Sequence, residues 1–129
     1  MAWTSRDKVF DIQIPADDPR AKAAYLEGKK FFYSKRGQLN LSCANCHLQG
    51  SNIRIRADLP SPQLGLVTQF PVFRSKWGEL GTLHRRYSGC HKDSRSNPLK
   101  PQAEEFRNLE YFQSYMSNGL VATGPGARK

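Results

Sequence analysis

The chain has 129 residues, of which 24% are charged, with a formal net charge of +9 and a mean hydropathy of −0.66. These values are typical of one water-soluble domain. They exclude a membrane span, since no stretch approaches the roughly 20 apolar residues that one needs.

Residues 1–18 are predicted to be an N-terminal linker, and residues 19–129 to form one domain. Val9 and its apolar neighbours predict a short extended piece before Pro15. Asp18 followed by Pro19 is a strong helix start. Small and aromatic residues then recur at helical spacing, which predicts a helix over 19–34 that Gly37 ends. Gly28 on its small face would let a second helix approach closely.

The next feature is the run Cys43-Ala44-Asn45-Cys46-His47. Two cysteines spaced in this way can add to the two vinyl groups of a haem, and the histidine that follows then binds the iron. The pattern is the attachment signature of a c-type cytochrome. It predicts one covalent haem c held by Cys43 and Cys46, with His47 as proximal ligand.

The same motif also predicts the cellular compartment of the protein. Bacterial haem attachment takes place outside the cytoplasm, so we expect a periplasmic protein. Met1 is not followed by the apolar stretch of a signal peptide. We therefore interpret the chain as a mature or truncated form. The alternative is that the motif is spurious and the protein cytosolic.

Residues 48–72 contain several prolines and glycines, which predict a loop with at most a turn of helix. Residues 73–86 are predicted to be helical, with Trp77 and Leu80 facing inward, and Gly89-Cys90 to break that helix. A polar loop over 93–101 comes next. Aromatic and aliphatic residues recur on a helical period over 103–117, which predicts a last helix. The tail after it is predicted to be extended on the surface.

The order of these elements favours an all-α fold with long irregular loops. An aromatic-rich first helix, a haem motif soon after it and an aromatic-rich last helix are the plan of a class I cytochrome c. In that plan the two end helices cross closely.

The second axial ligand of the iron has four candidates in the sequence. Met116 lies on the apolar stripe of the last helix, which favours a core role and argues against an ordinary electron carrier. His84 and His91 could each bind iron. Alternatively, His84 could be a partly buried helix residue and His91 a solvated loop residue. Cys90 is the unpaired third cysteine, and a thiolate ligand would stabilise ferric iron and lower the reduction potential. The alternative for Cys90 is a buried free thiol that only packs as a small apolar residue.

Positive charge is dense near Cys90 and in the first helix. Residues 20–36 carry six basic residues and one acid, and residues 74–100 carry seven and two. Most of these side chains are expected to form a solvated surface, although such density also attracts anions and acidic partners. Arg85 and Arg86 lie one helical turn before Cys90, where they would favour the thiolate and bind oxyanions. The planar guanidinium fork suits sulfate-like groups.

These residues resemble a known family, the SoxA cytochromes of the sulfur-oxidising (Sox) system, in their C-terminal haem domain. The resemblance runs from about Gly28 to the end of the chain. It is carried by the residues at 36–43, 46–47, 56–58, 70–71, 76–77, 83–84, 86–90 and 118–120.

The resemblance implies an enzyme, an L-cysteine S-thiosulfotransferase. Cys90 would be the second iron ligand and the catalytic thiol, and Arg86 would bind thiosulfate, with Arg85 as our added candidate helper. It implies a haem partner subunit, SoxX, a carrier protein, SoxYZ, whose cysteine receives thiosulfate, and an acceptor cytochrome. The chain departs from the family in having one domain where complete SoxA proteins have two, so activity of this piece alone is in question.

Two other hypotheses remain open. The first is a plain periplasmic electron-transfer cytochrome with a histidine or methionine as second ligand. The second is a structural zinc bound by the three cysteines and His84 or His91, in a basic nucleic-acid-binding module. The position of His47 directly after Cys46 favours haem over zinc, and no nucleic-acid partner is predicted.

Overall fold

The computed structural model describes residues 5–55 and 58–128. These ranges contain three α-helices, two shorter helices and three short strands. The α-helices are α1 (Pro19–Tyr33), α2 (Leu83–Asp93) and α3 (Glu104–Met116). The strands are β1 (Val72–Arg74), β2 (Glu79–Gly81) and β3 (Gly126–Arg128), and the shorter helices are a π-helix (Asn45–Gln49) and a 3-10 helix (Leu66–Gln69). Within the described ranges no helix has the length and apolarity needed to cross a bilayer.

The first helix begins where the sequence predicts. The Asp18 carboxylate accepts hydrogen bonds from the backbone N–H groups of Arg20, at 2.9 Å, and Ala21, at 3.4 Å. These bonds satisfy two of the donors that a helix start leaves unpaired. The helix ends at Tyr33, so the prediction that Gly37 ends it was wrong. Ser34 already has extended backbone, and Gly37 lies in a later turn with φ of 73°.

Helices α1 and α3 cross at Gly28, as predicted. A Cβ atom built on Gly28 would lie 2.0 Å from the carbonyl oxygen of Asn108 and 3.0 Å from the Cβ of Phe112. No side chain fits at such distances, so the backbones meet directly. Tyr25, one turn before Gly28, packs its ring 5.4 Å from that of Phe112. The crossing brings the two ends of the domain together.

The core lies between this crossing and α2. Phe32, Phe106 and Leu109 are almost wholly removed from solvent. Burial of side chains of this size is the main favourable contribution to folding, at roughly 1.5–3 kcal/mol each. The buried cluster consists of Phe32, Ala44, Val67, Leu83, Tyr87, Phe106, Leu109 and Phe112. Since Ala44 belongs to it, the Cys-x-x-Cys-His turn is anchored directly on the core.

The predicted helix over 73–86 was wrong. Strands β1 and β2 form an antiparallel hairpin in which Val72 pairs with Gly81, and its turn ends at Gly78 with φ of 69°. Leu80 is 54% exposed rather than inward-facing, while Trp77 is half-buried over Gly81. Strand β3, from the predicted surface tail, pairs parallel with the other edge of β1.

Helix α2 begins only at Leu83 and continues through the predicted break. The Thr82 side chain accepts a hydrogen bond of 3.2 Å from the Arg85 N–H and caps the helix. The helix then runs through Gly89 and Cys90 to Asp93, so the predicted break was wrong. Helical periodicity consequently places residues 84, 87 and 91 on one face and residues 86, 90 and 93 on another.

The N-terminal segment runs alongside the chain that follows α3. The backbone N–H of Asp7 bonds to the carbonyl of Ala122, and that of Phe10 to Leu120, both at 2.9 Å. Phe10 packs against the core, whereas Val9 is 57% exposed. The predicted boundary at residue 18 stays a prediction, although it coincides with the start of α1.

Candidate functional site

The Cys-x-x-Cys-His residues lie on a tight turn that Ser42 and Asn45 build. The Asn45 side-chain oxygen accepts hydrogen bonds of 2.9 Å from both the backbone N–H and the hydroxyl of Ser42. The N–H of Gly50 donates to the carbonyl of Asn45 at 2.8 Å, which closes the π-helical turn. Cys43 and Cys46 therefore emerge from one short, internally bonded segment.

The ring of His47 is fixed by its neighbours in the following loop. Its Nδ1 lies 2.7 Å from the carbonyl oxygen of Ser61 and must donate to it. The other ring nitrogen, Nε2, then carries a lone pair for a metal. Burial lowers the pKa of His47, and the positive charge of Arg86 adds to that effect. A neutral imidazole at physiological pH is what iron ligation requires.

The three cysteines are free thiols that are each partly buried. Burial raises the pKa of the Cys43 thiol to about 11, although Arg36 opposes the rise. Burial also raises the pKa of Cys46 and of Cys90, and in both cases the Arg86 guanidinium is the chief opposing charge. One arginine on α2 thus acts on thiols from two separate segments.

Arg86 lies beside the turn of α2 that carries Cys90. A Cβ atom built on Gly89 would lie 3.4 Å from Arg86 Nη1, so the guanidinium extends along the helix toward its C-terminal end. The same Nη1 lies 3.7 Å from Asp93 Oδ2, and the Arg86 side chain remains 32% exposed. It is therefore held near the thiol while still reachable from solvent.

Arg85 faces the hairpin instead. Its Nη1 lies 2.7 Å from Glu79 Oε1, and its guanidinium stacks 4.6 Å from the centre of the Trp77 ring. The side chains of the two adjacent arginines therefore point to different neighbours, although the sequence predicts the same role for both.

Arg74 on β1 is a candidate site residue that sequence reasoning missed. Burial lowers its pKa, and the charges of Arg86 and Cys90 both act on it. Its guanidinium also lies 5.3 Å from the Trp77 ring, on the hairpin that packs against α2. No signal in the sequence singles it out among the seven basic residues of 74–100.

His84 is used by the core rather than by the candidate site. The ring is 2% exposed, its Nδ1 accepts a hydrogen bond of 2.9 Å from the N–H of Gln102, and its Nε2 lies 2.9 Å from Glu110. It also stacks on the Tyr87 ring. These contacts favour a structural role.

His91 and Met116 also pack inward. His91 Nδ1 lies 3.0 Å from the carbonyl of Asn97 and its ring stacks on Phe31, while Met116 contacts the core cluster. Over the described ranges, no three histidine, cysteine or acidic side chains converge as a metal ion would require. The zinc hypothesis, which needs the cysteines and one of these histidines together, therefore lacks its ligand set.

The donor set fits haem. Two thiols stand three residues apart on one turn, an imidazole with its Nδ1 already bonded follows them, and a third thiol approaches from α2. Imidazole and thiolate are both known protein ligands of haem iron.

Comparison with known proteins gives a consistent result. No family model matches the chain. It is 54% identical over all 129 residues to the L-cysteine S-thiosulfotransferase subunit SoxA of Allochromatium vinosum, covering 46% of that protein. It is 53% identical to the same subunit of Chlorobaculum tepidum, again over 129 residues, and covers 44% of it. The chain thus spans about half the length of these curated relatives.

A solved structure agrees. The chain matches one in the crystal structure of SoxXA from P. pantotrophus with a TM-score of 0.89 and 32% identity, covering 99% of this chain and 47% of that one. The predicted all-α, class I cytochrome c-like fold is confirmed, with the small sheet as an addition. Of the residues that carried the resemblance, Arg56 and Ala57 lie outside the described ranges.

Proposed function

Because the chain is a SoxA homologue over its whole length, we propose that it is a haem c domain that couples thiosulfate to a cysteine of a carrier protein. The observation that carries the proposal is the placement of Arg86 beside Cys90 and its charge acting on both Cys90 and Cys46. A guanidinium next to a thiol suits a substrate with a sulfonate at one end and a nucleophilic sulfur at the other.

We propose that Cys43 and Cys46 would hold one haem c covalently, and that His47 Nε2 and the Cys90 thiolate would bind its iron. The hydrogen bond from His47 to Ser61 fixes the imidazole for this role. When bound, the haem supplies the route by which electrons leave, one at a time, toward an acceptor cytochrome. Thiolate ligation would keep its potential low.

The residues act on thiosulfate in two ways. Arg86 pairs with the sulfonate oxygens and directs the outer sulfur toward Cys90. A sulfur–sulfur bond then forms between Cys90 and that outer sulfur, with loss of two electrons. The carrier thiolate, having given up its proton, attacks the outer sulfur and displaces Cys90 as thiolate. In total, one sulfur–sulfur bond forms on the carrier, and one proton and two electrons leave.

Partners and location follow from the same proposal. The solved relative is a SoxXA complex, so we propose a SoxX-like haem subunit as partner and a SoxYZ-like protein as carrier. The thiosulfate reaction and haem attachment together favour the periplasm. The positive charge of +9 would draw an anionic substrate and acidic partner surfaces to the protein.

The adjacent arginines provide the sharpest test. Replacing Arg86 with alanine removes a charge-assisted contact of roughly 1.5–3 kcal/mol, which corresponds to a loss of about tenfold to 150-fold in kcat/KM for thiosulfate. The haem spectrum should stay nearly unchanged. The measurement is steady-state coupling of thiosulfate to the carrier by the haem-loaded protein assembled with its haem partner.

Arg85→Ala is the matched control, because Arg85 pairs with Glu79 instead of facing the thiols. We expect its kcat/KM to stay within about fivefold of the parent protein, since an exposed ion pair of this kind is worth only about 1 kcal/mol or less. Equal losses in the two variants would mean a general charge effect. Unchanged kinetics for Arg86→Ala would remove Arg86 from the substrate site.

Arg74 is expected to give a second, smaller effect. Arg74→Gln keeps hydrogen-bonding capacity but removes the charge that acts on Cys90. We expect KM for thiosulfate to rise severalfold, with a steeper rise at low salt, where surface charge is least screened. A KM that does not change with salt in either protein would count against a role for Arg74 in drawing in the anion.

A further inference from the structure

A buried chain of three polar side chains crosses the core beneath the candidate site. The Tyr87 hydroxyl donates to Gln113 Oε1, and Gln113 Nε2 donates to Gln63 Oε1 at 2.8 Å. Tyr87 is 7% exposed, Gln113 2% and Gln63 1%. The chain joins α2, α3 and the loop that follows the haem motif.

The direction of these hydrogen bonds is set by what each arrangement would leave unpaired. If Tyr87 donates, its proton is satisfied, and among the side-chain polar atoms of these three residues only Gln63 Nε2 lacks a partner. If both amides were turned over, the tyrosine would accept, and its own buried proton would be left without an acceptor. Unpaired buried donors are costly, so the chain runs from Tyr87 through Gln113 to Gln63.

Each end of the chain lies next to a segment that carries a proposed iron ligand. The backbone N–H of Gln63 donates to the carbonyl of His47 at 3.0 Å, and Gln63 stands two residues after Ser61, which fixes the His47 ring. At the other end Tyr87 lies on α2, three residues before Cys90. The two segments share no other chain of buried side-chain hydrogen bonds among the described residues.

Stability alone gives no reason for these residues. A buried amide with one unpaired donor stabilises the fold less than an apolar side chain of the same size. Every polar atom of the amide bonds to water in the unfolded chain, and each one left unpaired in the folded protein costs free energy. The three residues are nevertheless joined by two direct hydrogen bonds across three segments, and such buried bonds favour one arrangement of the elements that they connect.

We propose that Tyr87, Gln113 and Gln63 form a brace that positions the His47 loop relative to α2, so that both axial ligands are held in one geometry. Gln63 is a positioning residue in this proposal, since it acts through His47. The inference rests on the proposed function for the identity of the two ligands.

The test uses proton NMR of the ferric, haem-loaded protein, because the shifts of the haem methyl groups report the orientation of the axial histidine. We expect Gln63→Met and Tyr87→Phe each to move the methyl shifts. The double variant should show the shift of Gln63→Met alone, because a chain that is already broken cannot be broken again. Tyr25→Phe is the control, since this tyrosine packs on the same helix α3 and lies outside the chain.

Additive shifts, or methyl shifts that stay in place, would overturn the brace. Additivity would mean that Tyr87 acts on the site directly and not through Gln63. Should Gln63→Met fail to fold, the same comparison of two single variants with their double variant can be made with Tyr87→Phe and Gln113→Met. Tyr87→Phe removes only one oxygen atom. A protein without haem absorption would contradict the proposed function itself. Failure of the proposed function is therefore distinguishable from failure of the brace.

Discussion

Cys90→Ala is expected to abolish thiosulfate coupling and to change the axial ligation of the haem. If Cys90 is both the second ligand and the thiol that bonds thiosulfate, one substitution removes both functions. We expect kcat/KM to fall by at least about a thousandfold, as for other covalent nucleophiles. The low-spin, thiolate-type ferric signal should disappear from the electron paramagnetic resonance spectrum.

Ser88→Ala is the matched control for this change. Ser88 is half-buried on the same helix and bonds the carbonyls of His84 and Leu99, so it lies off the face of Cys90. Activity and spectrum should be kept in that variant. Should the spectrum of Cys90→Ala match that of the parent protein, a histidine or methionine would be the ligand, and the protein would act as a plain electron carrier.

Gly28→Ala is expected to destabilise the whole domain by at least about 2 kcal/mol. The added methyl group would lie 2.0 Å from the carbonyl oxygen of Asn108 and 2.6 Å from its carbon. The obstacle is backbone, so no side chain can rotate away and the two helices must separate. Overpacking of this kind costs about 1–3 kcal/mol even where neighbours can adjust.

The measurement is urea unfolding followed by far-ultraviolet circular dichroism, with Lys29→Ala beside it. Lys29 is the next residue on α1 and is exposed, so its replacement should change the free energy of unfolding by no more than about 0.5 kcal/mol. A stability of Gly28→Ala equal to that of the parent protein would mean that the helices cross less closely than described.

The end helices were predictable because local signals and packing agree there. Asp18 and Pro19 specify a start that needs no tertiary contact, and the apolar positions of α3 recur on a helical period over three turns. Gly28 was predictable as well, since a small residue on the inner face of a helix has few uses besides close approach. The turn proposed to bind haem was also predictable, because haem attachment requires two cysteines and a histidine at fixed spacing.

The middle of the chain was not predictable in the same way. The hairpin strands are three residues each, too short for alternation to show, and Trp77 satisfied a helical pattern equally well. Gly78 adopts a positive φ at the end of the hairpin turn, but a lone glycine also occurs inside helices and so does not identify the turn by itself. Gly89 predicts a break, whereas packing of the neighbouring Tyr87 and His91 on the core outweighs its poor helix propensity.

The candidate site shows the same limit. Sequence can place Arg85 and Arg86 one turn before Cys90, but neighbouring residues point in different directions on a helix. Which one faces the thiol depends on where α2 sits, and Glu79 on the hairpin decides the position of Arg85. Arg74 reaches the site only through the folding of that hairpin, so no local pattern could identify it.

The parallel pairing of β3 with β1 has a consequence for natural variation. Arg128 stands opposite Arg74 in that pairing, and the N–H of Ser75 donates to its carbonyl at 3.1 Å. Exchanges at 126–128 would therefore tilt the strand that carries Arg74 without touching substrate. If Arg74 draws in the proposed anionic substrate, differences in affinity between orthologues can originate about 50 residues away in sequence, where a comparison restricted to site-lining positions would not look.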